Sequence, residues 1–162
     1  MKRILDFGSR LSIWMDNVGG SILVIMMMLT VIDIALRISG RPITGTYELV
    51  ALAGAMVVGF AVPQTTQENG HIGVDLLIQA LPQKARNIFF AITKIMGAVL
   101  CGGVAWYLYK KGNHLLEQGD VSHTLQIPAY PGAYVLAFCF AVESFILLLQ
   151  ILKLFLEEAK NE

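Results

Sequence analysis

The chain has 162 residues, of which 56% are hydrophobic and 15% charged, with a formal net charge of zero and a mean hydropathy of +0.63. That balance excludes an ordinary soluble domain. The absence of a basic block removes the electrostatic footprint needed for nucleic-acid binding or for polybasic attachment to a lipid surface.

Four apolar stretches, 18–36, 49–62, 88–108 and 133–152, alternate with polar connections. A crossing needs about 20 apolar residues, because a helix rises about 1.5 Å per residue and the hydrocarbon core is about 30 Å thick. The sequence therefore predicts an all-α integral membrane protein, a single domain of four transmembrane helices over about 18–37, 47–64, 86–109 and 131–153. An N-terminal amphipathic segment and a short interfacial helix in the middle connection complete the expected fold.

At the amino end, Ile4, Phe7, Leu11, Trp14 and Val18 recur at intervals of three and four, with Lys2, Arg3, Asp6 and Arg10 on other faces. This pattern predicts an amphipathic helix lying in the interface, with Trp14 as an anchor; the plainer reading is an extension of the first span. The first apolar run passes into Arg37 without a small-x-small cleavage site, so it is read as a span rather than a removed export signal.

Asp33 and Arg37 stand four apart and are expected to pair on one helix face. The segment from Gly40 to Glu48 is a Pro- and Gly-containing turn, and Glu48 is expected close to Arg37 and Arg41, in a cluster locking two helix ends. The second span carries Ala51, Ala55, Gly59 and Pro63 on one face. In the middle connection, Val74, Leu77, Ile78 and Leu81 share one side and predict the short surface helix. Pro82 is then expected to open a third helix running to about Lys111.

Within the third and fourth spans the ionisable residues are Lys94 and Glu143, at depths of about 9 Å and 15 Å from one end by helical rise. Unpaired charges in hydrocarbon are costly, so a Lys94–Glu143 bridge, or pairing of each with a companion subunit, is expected, with proton or ion coupling as the functional alternative. Small residues at Ala91, Ala98, Cys101 and Ala105, and at Ala133, Ala137 and Ala141, mark helix-packing faces. Trp106, Tyr107 and Tyr109 close the third span and Tyr130 and Tyr134 open the fourth. They form an aromatic belt in which Trp106 and Tyr130 anchor the interface.

Lys and Arg in the flanks favour one side. Lys2, Arg3, Arg10, Lys84, Arg86, Lys153 and Lys160 face Arg37, Arg41, Lys110 and Lys111 across the membrane. By the positive-inside rule both termini are expected in the cytoplasm.

Cys101 and Cys139 form no Cys-x-x-Cys pair, which argues against thiol-oxidising chemistry. His71, His114 and His123 fall in connections rather than on facing helices, as haem ligation would require. There is no phosphate loop, Ser-His-Asp set or His-Glu-x-x-His. Neither an enzyme nor a cofactor is expected.

Three connection motifs, in order, resemble the small membrane subunit of tripartite ATP-independent periplasmic (TRAP) transporters, the DctQ-like family. They are Gly45-Thr46-Tyr47-Glu48, the string His71-Ile72-Gly73-Val74-Asp75, and the approach from Ser122 to Pro128. Tyr130 stands where that family often has Trp after the Ile-Pro pair, which keeps an aromatic anchor. The resemblance implies a scaffold subunit of a sodium-coupled transporter for organic acids such as sialic acids or dicarboxylates, in the bacterial or archaeal cytoplasmic membrane. Its implied partners are a large elevator-type membrane subunit, a periplasmic substrate-binding protein and membrane lipids, with no nucleic acid. On this reading Arg37, Glu48, His71, Asp75, Lys94, Ser122, Pro128 and Glu143 serve structure or subunit contact. The competing readings are a self-sufficient four-helix proton-coupled exporter, in which Glu143 would exchange protons for cargo, and an accessory subunit of another membrane complex.

Overall fold

The computed structural model describes the backbone over residues 2–68, 83–122 and 124–161, and side chains over 8–68, 89–122 and 124–152. Four α-helices account for nearly all of it: α1 Lys2–Ile38, α2 Thr46–Gln67, α3 Gln83–Gln118 and α4 Tyr130–Asn161. Each is long and apolar enough to cross a membrane. Among the described residues the one extended pairing is an isolated bridge between Val121 and Pro128.

The helices form two antiparallel hairpins, α1 with α2 and α3 with α4, joined where α2 packs on α4. The α1–α2 turn and the α3–α4 loop share one end of the bundle, called here the loop end. Along the α2–α4 contact the positions advance together, Gly59 against Leu136 and Cys139, then Thr66 against Glu143, so these two helices run parallel.

Close approach at small residues builds the packing, since lipid provides no hydrophobic drive between helices. A side chain at Gly59 would meet Leu136 Cδ2 at 2.9 Å, and one at Gly19 would meet Phe60 Cβ at 3.1 Å. Of the predicted α2 stripe, Gly59 and Pro63 are buried while Ala51 and Ala55 stay exposed. Ala98 and Ala105 of α3 and Ala137 of α4 are buried as expected. Large apolar side chains such as Val24, Met28, Val31, Met96 and Val99 point outward and more than half exposed, as lipid-facing residues do.

Three helices run past the predicted ends. The first is continuous from Lys2, with no break that would set an interfacial helix apart from the span. Its packed face is Gly8, Ser12, Met15 and Gly19, all buried, whereas Trp14 is 62% exposed. Met15 joins Cys139, Val142 and Ile146 in the core, with Leu11, Phe60 and Val135 around it. The face turned to the bundle is thus the small-residue one, next to the apolar stripe that periodicity picks out. For residues 2–7 the amphipathic reading concerns side chains outside the described set.

The third helix continues to Gln118 rather than stopping near Lys111. The fourth continues to Asn161, so the expected polar tail is helical. Hydropathy ends where water begins, but Leu, Lys, Glu and Ala sustain a helix in either medium. At 36 residues, α3 is about 54 Å long, more than a bilayer core can hold upright, so it tilts or protrudes. The predicted surface helix over 74–81, and Pro82, lie outside the described residues.

Candidate functional site

Polar side chains in this apolar bundle fall into two groups. Most hydroxyls in the spans donate to the carbonyl one turn back: Ser12 to Gly8, Ser21 to Asn17, Thr30 to Met26, Thr65 to Ala61 and Thr93 to Phe89. This satisfies the group within its own helix, as a membrane interior demands. The informative polar groups are those that reach another element.

At the loop end, α1 finishes in a turn held by one carboxylate. Asp33 is 4% exposed. Its Oδ2 accepts from Arg37 at 2.9 Å and its Oδ1 from the Ile43 amide at 2.9 Å. The predicted i,i+4 pair is therefore present, and the same carboxylate also folds the turn back onto its helix. The Arg37 guanidinium lies 5.5 Å from the centre of the Tyr47 ring, on the first turn of α2. Thr46 donates to the Ile43 carbonyl at 3.0 Å, and Gly45 supplies the left-handed backbone, φ +85°, that starts α2.

Glu48 differs from expectation. Its carboxylate takes a hydrogen bond from the Ser122 hydroxyl and from the backbone amides of Thr124, at 3.0 Å, and Leu125, at 3.2 Å. None of its partners is an arginine. Three donors converging from a tight loop make a small anion nest, and the loop is shaped for it. The Ser122 amide donates to the Ile127 carbonyl at 2.9 Å, the Gln126 amide to the Ser122 carbonyl at 3.1 Å, and the Ala129 amide to the Asp120 carbonyl at 3.3 Å. Leu125 sits directly over Gly45, leaving no room for a Cβ there. The Ser122–Pro128 motif is thus brought onto the Gly45–Glu48 motif, so two of the three motifs singled out in the sequence form one latch. His71 and Asp75, the third, and His123 lie outside the described residues.

A second polar group is buried in the core toward the other end. Thr66, 3% exposed, donates its hydroxyl to Glu143, 2% exposed, at 2.6 Å. The Gln150 amide donates to the Thr66 carbonyl at 3.2 Å. On the face of α4 turned to α3, Ser144 donates to the Ala98 carbonyl at 2.9 Å. Thr66 and Ser144 are therefore the serine and threonine hydroxyls of the described spans that cross between helices; Thr66 bonds Glu143 and Ser144 is its neighbour in sequence. Lys94 is half-buried on α3. From the Ala98–Ser144 register it lies about five residues, or about 7.5 Å, from the level of Glu143, within reach of a lysine stem.

Sequence reasoning did not identify Thr66, Ser144 or Gln150. The signal was faint: single polar residues in or beside apolar runs, not distinguishable from the hydroxyls that bond their own helix. The aromatic belt is a connected set of rings, Trp106 to Tyr109 at 6.4 Å, Tyr109 to Tyr134 at 5.9 Å and Tyr134 to Tyr130 at 6.2 Å. The Tyr134 hydroxyl donates to Asn113 at 2.6 Å. Among the described residues no cluster of His, Cys, Asp and Glu could hold a metal ion.

The arrangement can hold helices in register; the carboxylates of Asp33, Glu48 and Glu143 each join two elements or close a turn. Compared with known families, residues 26–157 match the model of the tripartite ATP-independent periplasmic transporters, DctQ component. Neither the curated proteins nor the solved structures gave a match to the chain.

Proposed function

The chain belongs to the DctQ component family of tripartite ATP-independent periplasmic transporters, and we propose on that footing that it is the scaffold subunit of a sodium-coupled transporter for organic acids. In this role it supports a large elevator-type membrane subunit that carries the cargo, and helps a periplasmic binding protein to dock. The observation that carries the reading is the use to which buried polar groups are put. Asp33 closes a turn, Glu48 fastens a loop and Glu143 joins α2 to α4, which suits a static support.

A moving subunit needs a fixed reference, and a bundle whose Asp33, Glu48 and Glu143 carboxylates tie its own elements together provides one. On this reading both termini lie in the cytoplasm, by the excess of Lys and Arg in the flanks on that side, and the loop end, with Arg41 and the latched 119–129 segment, faces the binding protein. Lys94 and Glu143 are assigned to each other or to the large subunit. The rival exporter would need Glu143 to cycle between proton and cargo, and its short contact with Thr66 favours the structural role.

Reconstitution tests this. In proteoliposomes with an inward sodium gradient, labelled organic acid should accumulate only when this chain, the large subunit and the binding protein are all present. Uptake or efflux by this chain alone would overturn the proposal, as would full transport by the other two without it.

A further inference from the structure

Between α3 and α4, on the face away from α2, lies an open groove of about 590 Å³ whose lining includes Gly102, Ala105, Ala137 and Ala141 as floor and Trp106 and Phe138 as walls. No part of the described chain covers it: Trp106 is 63% exposed and Phe138 55%. The lining runs from Ser144 up to Tyr134 on α4, ten residues or about 15 Å of helix, which is the depth of one leaflet's hydrocarbon. It ends at the linked rings of Tyr109, Tyr134 and Tyr130, where headgroups begin.

At that upper end the Lys110 ammonium is held over the Trp106 ring, 5.6 Å from its centre, and Lys111 follows it in sequence. A cation fixed to the wall of an apolar, leaflet-deep groove has a complement with one negative charge and one long hydrocarbon chain. The geometry points to a binding site for an anionic phospholipid, an acyl chain lying on the Gly102–Ala105–Ala137–Ala141 floor and the headgroup phosphate against Lys110. This goes beyond the scaffold role and does not depend on which cargo, if any, the assembly carries.

The test uses the full chain in its native membrane assembly, with photoactivatable phosphatidylglycerol bearing a diazirine on one acyl chain, and the matching phosphatidylcholine. After illumination, peptide mapping should place label on residues 102–109 and 134–144. Phosphatidylglycerol should exceed phosphatidylcholine about fivefold, the attraction expected from one lysine at an anionic surface, and Lys110→Gln should bring the ratio to about one. Ala141→Phe, at an exposed position, should cut labelling by both lipids by filling the groove. Equal labelling by the two lipids in the parent, or an unchanged ratio in Lys110→Gln, overturns the site. So does protection of both stretches from every lipid with another protein subunit cross-linked there instead.

Discussion

Replacing Gly45 by alanine tests the latch at its tightest point. The position has φ +85°, a left-handed conformation that costs an L side chain about 1–2 kcal/mol. The new Cβ would also lie 2.6 Å and 2.8 Å from Leu125 Cδ1 and Cδ2, so Leu125 must leave its seat, an overpacking cost of about 1–3 kcal/mol. Gly45→Ala should therefore destabilise by about 2–5 kcal/mol, a large share of the 5–15 kcal/mol that typically holds a domain together. In a Leu125→Ala background the steric part disappears, and the same change should cost only the backbone part, about 1–2 kcal/mol. Equilibrium unfolding of the purified chain in mixed micelles, followed by tryptophan fluorescence, measures both. A cost within about 0.5 kcal/mol of zero for Gly45→Ala, or an identical cost in the two backgrounds, would refute the claim that Leu125 packs on a strained glycine.

Glu48→Ala should free the 122–125 loop from α2, seen as faster hydrogen–deuterium exchange at the Thr124 and Leu125 amides, with helix content unchanged; exchange equal to the parent would remove Glu48 as the fastener. Thr66→Val and Glu143→Leu should each lower stability in the same micelle assay by about 0.6–2 kcal/mol, the span of interhelical hydrogen bonds in membranes, and their double variant by less than the sum. Strict additivity would show that the two residues act separately. Lys94→Leu and Glu143→Leu, taken through the same cycle for recovery of the assembled complex, should show that the second loss is smaller once the first is made, because removing one charge strands the other. A cysteine at Gln118, in a background lacking Cys101 and Cys139, should react with a membrane-impermeant maleimide in intact cells; labelling only after lysis reverses the topology.

Local spacing made part of this architecture legible. Asp33 and Arg37 are four residues apart on one helix, so their pairing follows from geometry that holds before any tertiary contact forms. The spans follow from hydropathy for a similar reason, since lipid selects for apolar length irrespective of the neighbour. Glu48 and Leu125 are 77 positions apart, and nothing in the turn around Glu48 distinguishes a carboxylate awaiting an arginine from one awaiting backbone amides. That Gly8, Ser12, Met15 and Gly19 are the packed face of α1, with Trp14 turned outward, was hidden for a different reason. In water a large apolar side chain is buried, but in lipid one such as Trp14 is at home on the outside and small residues mark the contact. Helix ends were obscured because hydropathy reports the solvent, whereas the backbone of α3 and α4 continues on propensity alone.

Glu48 and Thr66 sit near the two ends of α2, eighteen residues or about 27 Å apart. Both fasten α2 to something beyond its own hairpin, one to the segment leading into α4 and the other to α4 itself. The seam between the halves of the molecule is riveted once at the loop end and once at the level of Glu143, about 14 Å of helix below Tyr134, with van der Waals packing at Leu52, Gly59 and Cys139 between the rivets. A sideways load arriving at the loop end meets a fastening first and a second one deeper in the bundle, so along that stretch the two halves resist splaying and twisting together.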